Sequence, residues 1–158
     1  MAHPSSHTDH HSRDRLIRWA RVYDLGIRLL GRRGKRLRVM LADDLQLQPG
    51  DRVLDVGCGP GRLAIVFAER VAPTGSVDGI DAAAEMINRA SSQARRRGVP
   101  ATFQVAFAQH LPFPDATFDA VACTLALHHV AEDDQPAAVA EMYRVLKPSG
   151  RLLIAEFH

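Results

Sequence analysis

The segment Val53-Leu54-Asp55-Val56-Gly57-Cys58-Gly59-Pro60-Gly61 constrains this chain more than any other. A short apolar run carries an acid near its end, and glycine then falls at every second position. Such a run reads as a buried strand entering a tight turn. Glycine at 57, 59 and 61 strips the turn of side chains, so a ligand can approach the backbone closely. Residues 62–71 have helical composition, so the turn opens a helix. Strand, glycine turn and helix N-terminus together make a nucleotide-type site at the carboxyl end of a parallel strand.

Spacing narrows the ligand. The dinucleotide fingerprint is G-x-G-x-x-G, whose third glycine supports close helix–strand packing. Here the order is G-x-G-x-G, with Asp55 two residues ahead of Gly57. An anionic side chain at that point opposes a pyrophosphate and suits a ligand carrying an ammonium group.

After Pro49-Gly50 the pattern alternates regularly. Strands are predicted at 52–56, 76–80, 102–106, 118–124 and 151–157, with helices at 62–71, 83–97 and 134–146. Gly98 is a natural helix stop with Pro100 beyond it. Strands alternating with helices imply right-handed crossovers and a parallel sheet. Ahead of this domain, residues 1–12 read as a disordered, histidine-rich tail without fixed metal-ligand geometry, and no metal site is expected. Residues 13–48 read as helical. Leu16, Trp19, Ala20, Tyr23, Ile27 and Leu30 form one apolar face, Gly31 and Gly34 break the stretch, and a second helix covers 35–45.

The charge is uneven. Residues 13–38 carry ten Lys/Arg and two acids, a balance of +8, whereas the whole chain of 158 residues is only +2. This basic helical segment is either a lid with a surface for anionic lipid, or a helix docked on the sheet with a solvated basic face. No apolar run reaches the ~20 residues a spanning helix needs, and the polar N-terminus is no secretory signal. Two cysteines, Cys58 and Cys123, fit a reduced, cytoplasmic protein rather than a disulfide scaffold.

Five ordered stretches between residues 50 and 157 carry a family resemblance. Asp55-Val56-Gly57-Cys58-Gly59-Pro60-Gly61 resembles motif I of the class I S-adenosylmethionine-dependent methyltransferases. Gly79-Ile80-Asp81 is similar to that family's second strand with its ribose-binding acid. The run from Leu111 to Val121 resembles its LPFxDxxFD segment, Leu127-His128-His129-Val130 the segment after strand four, and Arg144 to Gly150 its RVLKPGG. The resemblance implies a Rossmann-like, doubly wound, mainly parallel α/β sheet comprising strands one to five of a seven-strand fold, preceded by N-terminal helices. The family's last two strands have no counterpart before His158. Leu152, Leu153, Ile154 and Phe157 would then lie on an exposed apolar edge. A fragment or truncated reading frame is the favoured explanation. The alternatives are an edge covered by a second copy, as in a homodimer, or one shielded by the N-terminal helices.

The implied cofactor is S-adenosyl-L-methionine. By resemblance, Gly57, Cys58, Gly59 and Gly61 cradle its methionine portion and Asp55 stabilises its ammonium, although Asp55 alone also reads as a helix-capping acid. Asp81 would accept both ribose hydroxyls, with an N-cap as its alternative role. Ala82 and Met86 are placed near the adenine, with the core the stronger reading for Met86, and Thr124, after strand four, is placed among the cofactor-binding residues facing the reaction centre. Where the family carries an acid for the adenine amino group, this chain has Phe107, which can stack on the purine; Gln109 and the Ala108 amide are the remaining hydrogen-bonding groups. Ser149 replaces the second glycine of RVLKPGG, a mild change in a turn. Leu125, His128 and His129 would face the reaction centre, with a histidine removing a proton from a phenol or carbon acid. Tyr23-Asp24 resembles the lid of quinone-biosynthesis C-methyltransferases and phospholipid N-methyltransferases, which implies a small lipophilic acceptor and peripheral contact with an anionic membrane.

Other function classes fare worse. A cofactor-binding module without turnover stays open. A nicotinamide oxidoreductase is opposed by Asp55 and by the glycine spacing. Nucleic-acid modification is opposed by the lack of aromatics among the arginines and of base-methylation motifs.

Overall fold

A computed structural model describes residues 31–156. The calls on residues 1–30 and 157–158, including the tail, Tyr23 and Phe157, lie outside them. The elements run α1 (Gly31–Asp44), β1 (Arg52–Val56), α2 (Arg62–Val71), β2 (Ser76–Asp81), α3 (Ala84–Arg97), β3 (Ala101–Val105), β4 (Phe118–Thr124), α4 (Gln135–Val145) and β5 (Leu146–Ala155), with short 3-10 turns at Leu127–His129 and Glu132–Asp134.

The strands form one sheet in the order β3-β2-β1-β4-β5, every pairing parallel. The chain winds outward from β1 to β3, then returns to the other side of β1 through β4. The order therefore reverses between β1 and β4, and ligands of such sheets bind at the carboxyl ends beside that reversal.

Both faces of the sheet are covered, as expected for all-parallel strands. On one, Val53, Val77, Ala120 and Ala122 pack with Ala42 and Leu45 of the α1 region and with Phe67, Ala68 and Val71 of α2. On the other, Leu54, Val56, Ile80, Val121 and Cys123 pack with Ala138, Met142 and Val145 of α4. Adjacent residues of β1 and β4 thus enter opposite cores, which follows from the two-residue period of a strand.

Two boundaries differ from the sequence reading by more than a single residue. Gly31 and Gly34 do not break the chain: α1 runs through both. Glycine costs a helix only about 1 kcal/mol, and docking of Ala42 and Leu45 in the core outweighs it. The last strand begins at Leu146 rather than 151, because the turn-like Lys147-Pro148-Ser149-Gly150 is absorbed as an irregularity between Phe118 and Ala120 in the β4–β5 pairing. Ser149 pays for this with φ 64, a left-handed conformation that a side chain disfavours.

The motifs near the ends of the chain turn out to be structural ties. Arg144 donates to the carbonyls of Leu111 and Phe113, at 3.1 and 2.8 Å, and to Asp115 at 2.8 Å. It also grips Glu141, whose Oε2 accepts from the Leu111 amide at 2.8 Å. The guanidinium holds Glu141 down at about 2. Asp119 accepts from the Arg52 amide and from Lys147 at 2.9 and 2.8 Å, fastening β1, β4 and β5 at the end opposite the glycine turn.

Candidate functional site

The glycine turn joins the carboxyl end of β1 to α2. Gly57, Gly59 and Gly61 have φ of 70, 51 and 77°. Two of them also make room for protein. A Cβ on Gly57 would lie 2.2 Å from the Ala126 Cβ, and one on Gly61 would lie 2.8 Å from the Ala90 Cβ. Bare backbone at these positions lets the turn after β4 and helix α3 close in on the site. The sequence reading gave all three glycines to ligand approach; packing claims at least these two.

Asp81 ends β2, the neighbour of β1. Its Oδ2 accepts from the Gly59 amide at 2.9 Å and its Oδ1 from the Ala83 amide at 2.8 Å. The carboxylate therefore stitches the glycine turn to the start of α3, whose N-cap position is Ala83 and not Asp81. Each oxygen keeps a further acceptor site. Burial raises its pKa, while these two amides and the charge of nearby His129 pull it back.

Asp55 is the one charged residue in the buried core among the described residues, 1% exposed. Burial and then the charge of Asp81 push it up to about 7, against a hydrogen bond from the Ala64 amide in the first turn of α2. The Asp55 Oδ2 has no hydrogen-bond partner among the described residues. A buried unpaired carboxylate oxygen costs several kcal/mol, and a cation or a bound water is what relieves that cost.

Cys58 is buried, its thiol pushed well above its ordinary value by burial and by the charges of Asp55 and Asp81. Cys123 is pushed up to about 12, by burial, Asp55 and Glu156. Both are free and protonated at neutral pH, so neither is a nucleophile. Met86 is 5% exposed and belongs to the core; Ala82 is exposed beside Asp81. Phe107 is 57% exposed in a tight turn closed by the His110 amide on the Phe107 carbonyl at 3.0 Å. Ala108 and Gln109 lie in the same turn, half-buried.

Beyond β4, Thr124 is half-buried and Leu125 has φ 54, an outlier for a branched side chain of this bulk. The His128 and His129 rings lie with centroids 4.0 Å apart, tilted 51° to each other. Burial and the neighbouring His128 lower the pKa of His129, against the charges of Glu156 and Asp81. The turn after β4 therefore lies within electrostatic reach of Asp81. The sequence reading did not include Glu156, which accepts from the amides of Ala126 and Leu127 at 3.1 and 2.8 Å and meets His128 Nδ1 at 2.5 Å. No motif marks Glu156. Its only signal is its position, just beyond the strand that pairs with β4.

Comparison with known proteins fits this geometry. A family model described as a methyltransferase domain matches residues 53–150, more than half of the chain. The chain belongs to the class I S-adenosylmethionine-dependent methyltransferases. It is 42% identical over 116 residues to the demethylmenaquinone methyltransferase of Symbiobacterium thermophilum, covering 69% of this chain and 43% of that protein. It is 40% identical over 144 residues to the ubiquinone/menaquinone biosynthesis C-methyltransferase UbiE of Xanthomonas campestris pv. campestris, covering 87% and 55%. The crystal structure of the YcgJ protein from Bacillus subtilis superimposes with a TM-score of 0.67 at 38% identity, over 74% of this chain and 48% of that one. The chain spans about half the length of these relatives. The family's cofactor is S-adenosyl-L-methionine, and the residues present suit it: the unpaired oxygen of Asp55 matches an ammonium, and the spare acceptor sites of Asp81 match a vicinal diol.

Proposed function

We propose that this chain carries the cofactor site of a methyltransferase that moves a methyl group from S-adenosyl-L-methionine to a small, lipophilic acceptor. The observation that carries the reading is Asp55: a buried carboxylate with one oxygen unpaired, beside a second carboxylate, at the reversal point of a parallel sheet. The relatives named for menaquinone and ubiquinone biosynthesis support a quinol-like acceptor.

When bound, the cofactor supplies an activated methyl on a sulfonium whose departure leaves a neutral thioether. Little covalent chemistry then remains for the protein. Its residues position donor and acceptor, and effective molarity supplies much of the rate. Asp55 would hold the ammonium, and the turn through Gly57, Cys58, Gly59 and Gly61 would line the methionine portion. Asp81 would accept the ribose hydroxyls. Phe107 would stack on the adenine with Ala82 and Ala108 near it, Met86 backing the site from the core and Thr124 lying toward the reaction centre. Leu125, His128 and His129 border the acceptor, where a histidine takes up its proton, and Tyr23 is the lid residue that the family resemblance suggests. The basic segment at 13–38 provides contact with an anionic membrane surface, and the β5 edge, where Ile154 is 39% exposed, a homodimer contact. No described helix is long and apolar enough to cross a membrane.

Calorimetric titration with S-adenosylmethionine, S-adenosylhomocysteine and NAD tests the cofactor, and transfer of a labelled methyl group to a detergent-dispersed quinol tests the reaction. Tight binding of the two adenosyl ligands and none of NAD is expected. Preference for NAD would overturn the reading. Binding without transfer would leave a cofactor-binding module.

A further inference from the structure

Glu156 joins two strands that sequence separates widely. Thr124 at the end of β4 pairs with Ala155 at the end of β5, and the Leu125 amide donates to the Ala155 carbonyl at 2.7 Å. That pairing sets Glu156 against the turn that follows β4. One oxygen takes the Ala126 and Leu127 amides; the other meets the His128 ring. A single carboxylate thus braces a turn that begins with the disfavoured backbone of Leu125 and continues into the two adjacent imidazoles.

The chemistry of the contact fixes a proton. An ionised carboxylate only accepts, so the nitrogen facing it must donate. Glu156 is ionised at neutral pH: burial raises its pKa, but its bonds from His128, Leu127 and Ala126 bring it below the ordinary value. Neutral His128 therefore carries its proton on Nδ1, and Nε2 holds the lone pair. Half of the His128 side chain is exposed, 52% against 27% for Glu156, so an incoming acceptor can reach the ring. The charged and titratable groups around this pair are Asp55 on β1, Asp81 on β2 and His129 in the same turn; the buried Cys123 thiol of β4 is protonated.

Resting on the methyl-transfer reading, we infer that Glu156 is a positioning residue: it fixes His128 in the Nδ1–H form and leaves Nε2 to take the hydroxyl proton of a hydroxyaromatic acceptor. The acceptor's O–H bond breaks, its proton passes to Nε2 and the electron pair stays on the acceptor. As the acceptor's ring carbon bonds the methyl group, the methyl–sulfur bond breaks with its pair going to sulfur. Loss of the ring proton at that carbon and return of one proton to oxygen restore the aromatic hydroxyl, for a net release of one proton. No oxidant or reductant is needed.

The test uses the whole 158-residue chain with ¹⁵N-labelled histidine, long-range proton–nitrogen spectra, S-adenosylhomocysteine calorimetry and methyl transfer to 1,4-naphthohydroquinone. His128 should show a protonated Nδ1 in the wild type and move toward the Nε2–H form in Glu156→Gln, with S-adenosylhomocysteine affinity within about twofold in both. Glu156→Gln and His128→Asn should each lower kcat by about a hundredfold, leave the cofactor KM unchanged, and combine with no further loss. A wild-type His128 protonated on Nε2, or losses that multiply in the double variant, would overturn the positioning role while cofactor binding stands. No transfer to the naphthohydroquinone by a wild type that binds cofactor would overturn the hydroxyaromatic acceptor. A wild type that binds no S-adenosylhomocysteine would overturn the methyl-transfer reading itself.

Discussion

Replacing Asp55 by asparagine should make the empty protein more stable while weakening its ligand. Asp55 is buried, and its pKa moves from 3.8 to about 7. A shift of about 3 units corresponds to up to about 4 kcal/mol between the two protonation states. The folded protein binds this proton more tightly than the unfolded chain does. The contribution is therefore fully present below pH 3.8, and it is lost as pH rises through about 7. Asparagine is nearly isosteric and neutral, and its carbonyl can still accept from the Ala64 amide. Urea unfolding of the two proteins without ligand should thus nearly coincide at pH 4 and diverge as pH rises. By pH 8 the Asp55→Asn protein should be ahead by a few kcal/mol. Calorimetry with S-adenosylhomocysteine should show the reverse preference. A bound ammonium favours the ionised carboxylate, so wild-type affinity should climb between pH 6 and 8, by at most tenfold per unit for one proton, while the variant's stays flat. Parallel stability curves, or a variant less stable than wild type at pH 8, would refute the argument that Asp55 is held at an energetic cost for the sake of a cation.

Three further substitutions separate fold from site. Ser149→Gly should raise stability by about 1 kcal/mol, because φ 64 is disfavoured for serine and free for glycine; urea midpoints read this directly. Phe107→Ala should leave stability unchanged, since the ring is 57% exposed, yet weaken S-adenosylhomocysteine by about three- to tenfold if the ring stacks on adenine. Arg144→Lys should lower the unfolding free energy by roughly 1–3 kcal/mol, because lysine cannot span two carbonyls and two carboxylates as the planar guanidinium does. Its binding of S-adenosylhomocysteine, measured well below the melting temperature, should be unchanged.

These variants mark what the sequence made legible. The strands and helices of the sheet could be read because apolar runs of strand length alternate with helical stretches and end at glycine turns, a local signal. Asp55 and Asp81 stood out because each lies at or one residue before the end of a strand that runs into a turn. The roles of Arg144, Asp119 and Glu156 could not, because each acts across 28 to 67 residues of chain through contacts that no local spacing encodes. The double duty of Gly57 and Gly61 was hidden for the same reason: Ala126 and Ala90 are far away in sequence and adjacent only once the sheet has formed. Where composition misled, as at Gly31 and Gly34, core packing of the helix beyond them outweighed propensity.

Calorimetry of S-adenosylhomocysteine against wild type and Asp81→Ala asks most directly whether the cup between β1 and β2 holds an adenosyl ligand. Loss of two charge-assisted hydrogen bonds to ribose, together with the Gly59 and Ala83 amide contacts that shape the cup, should weaken binding by about a hundredfold or more, with the variant still cooperatively folded. Equal affinity in the two proteins would contradict the account.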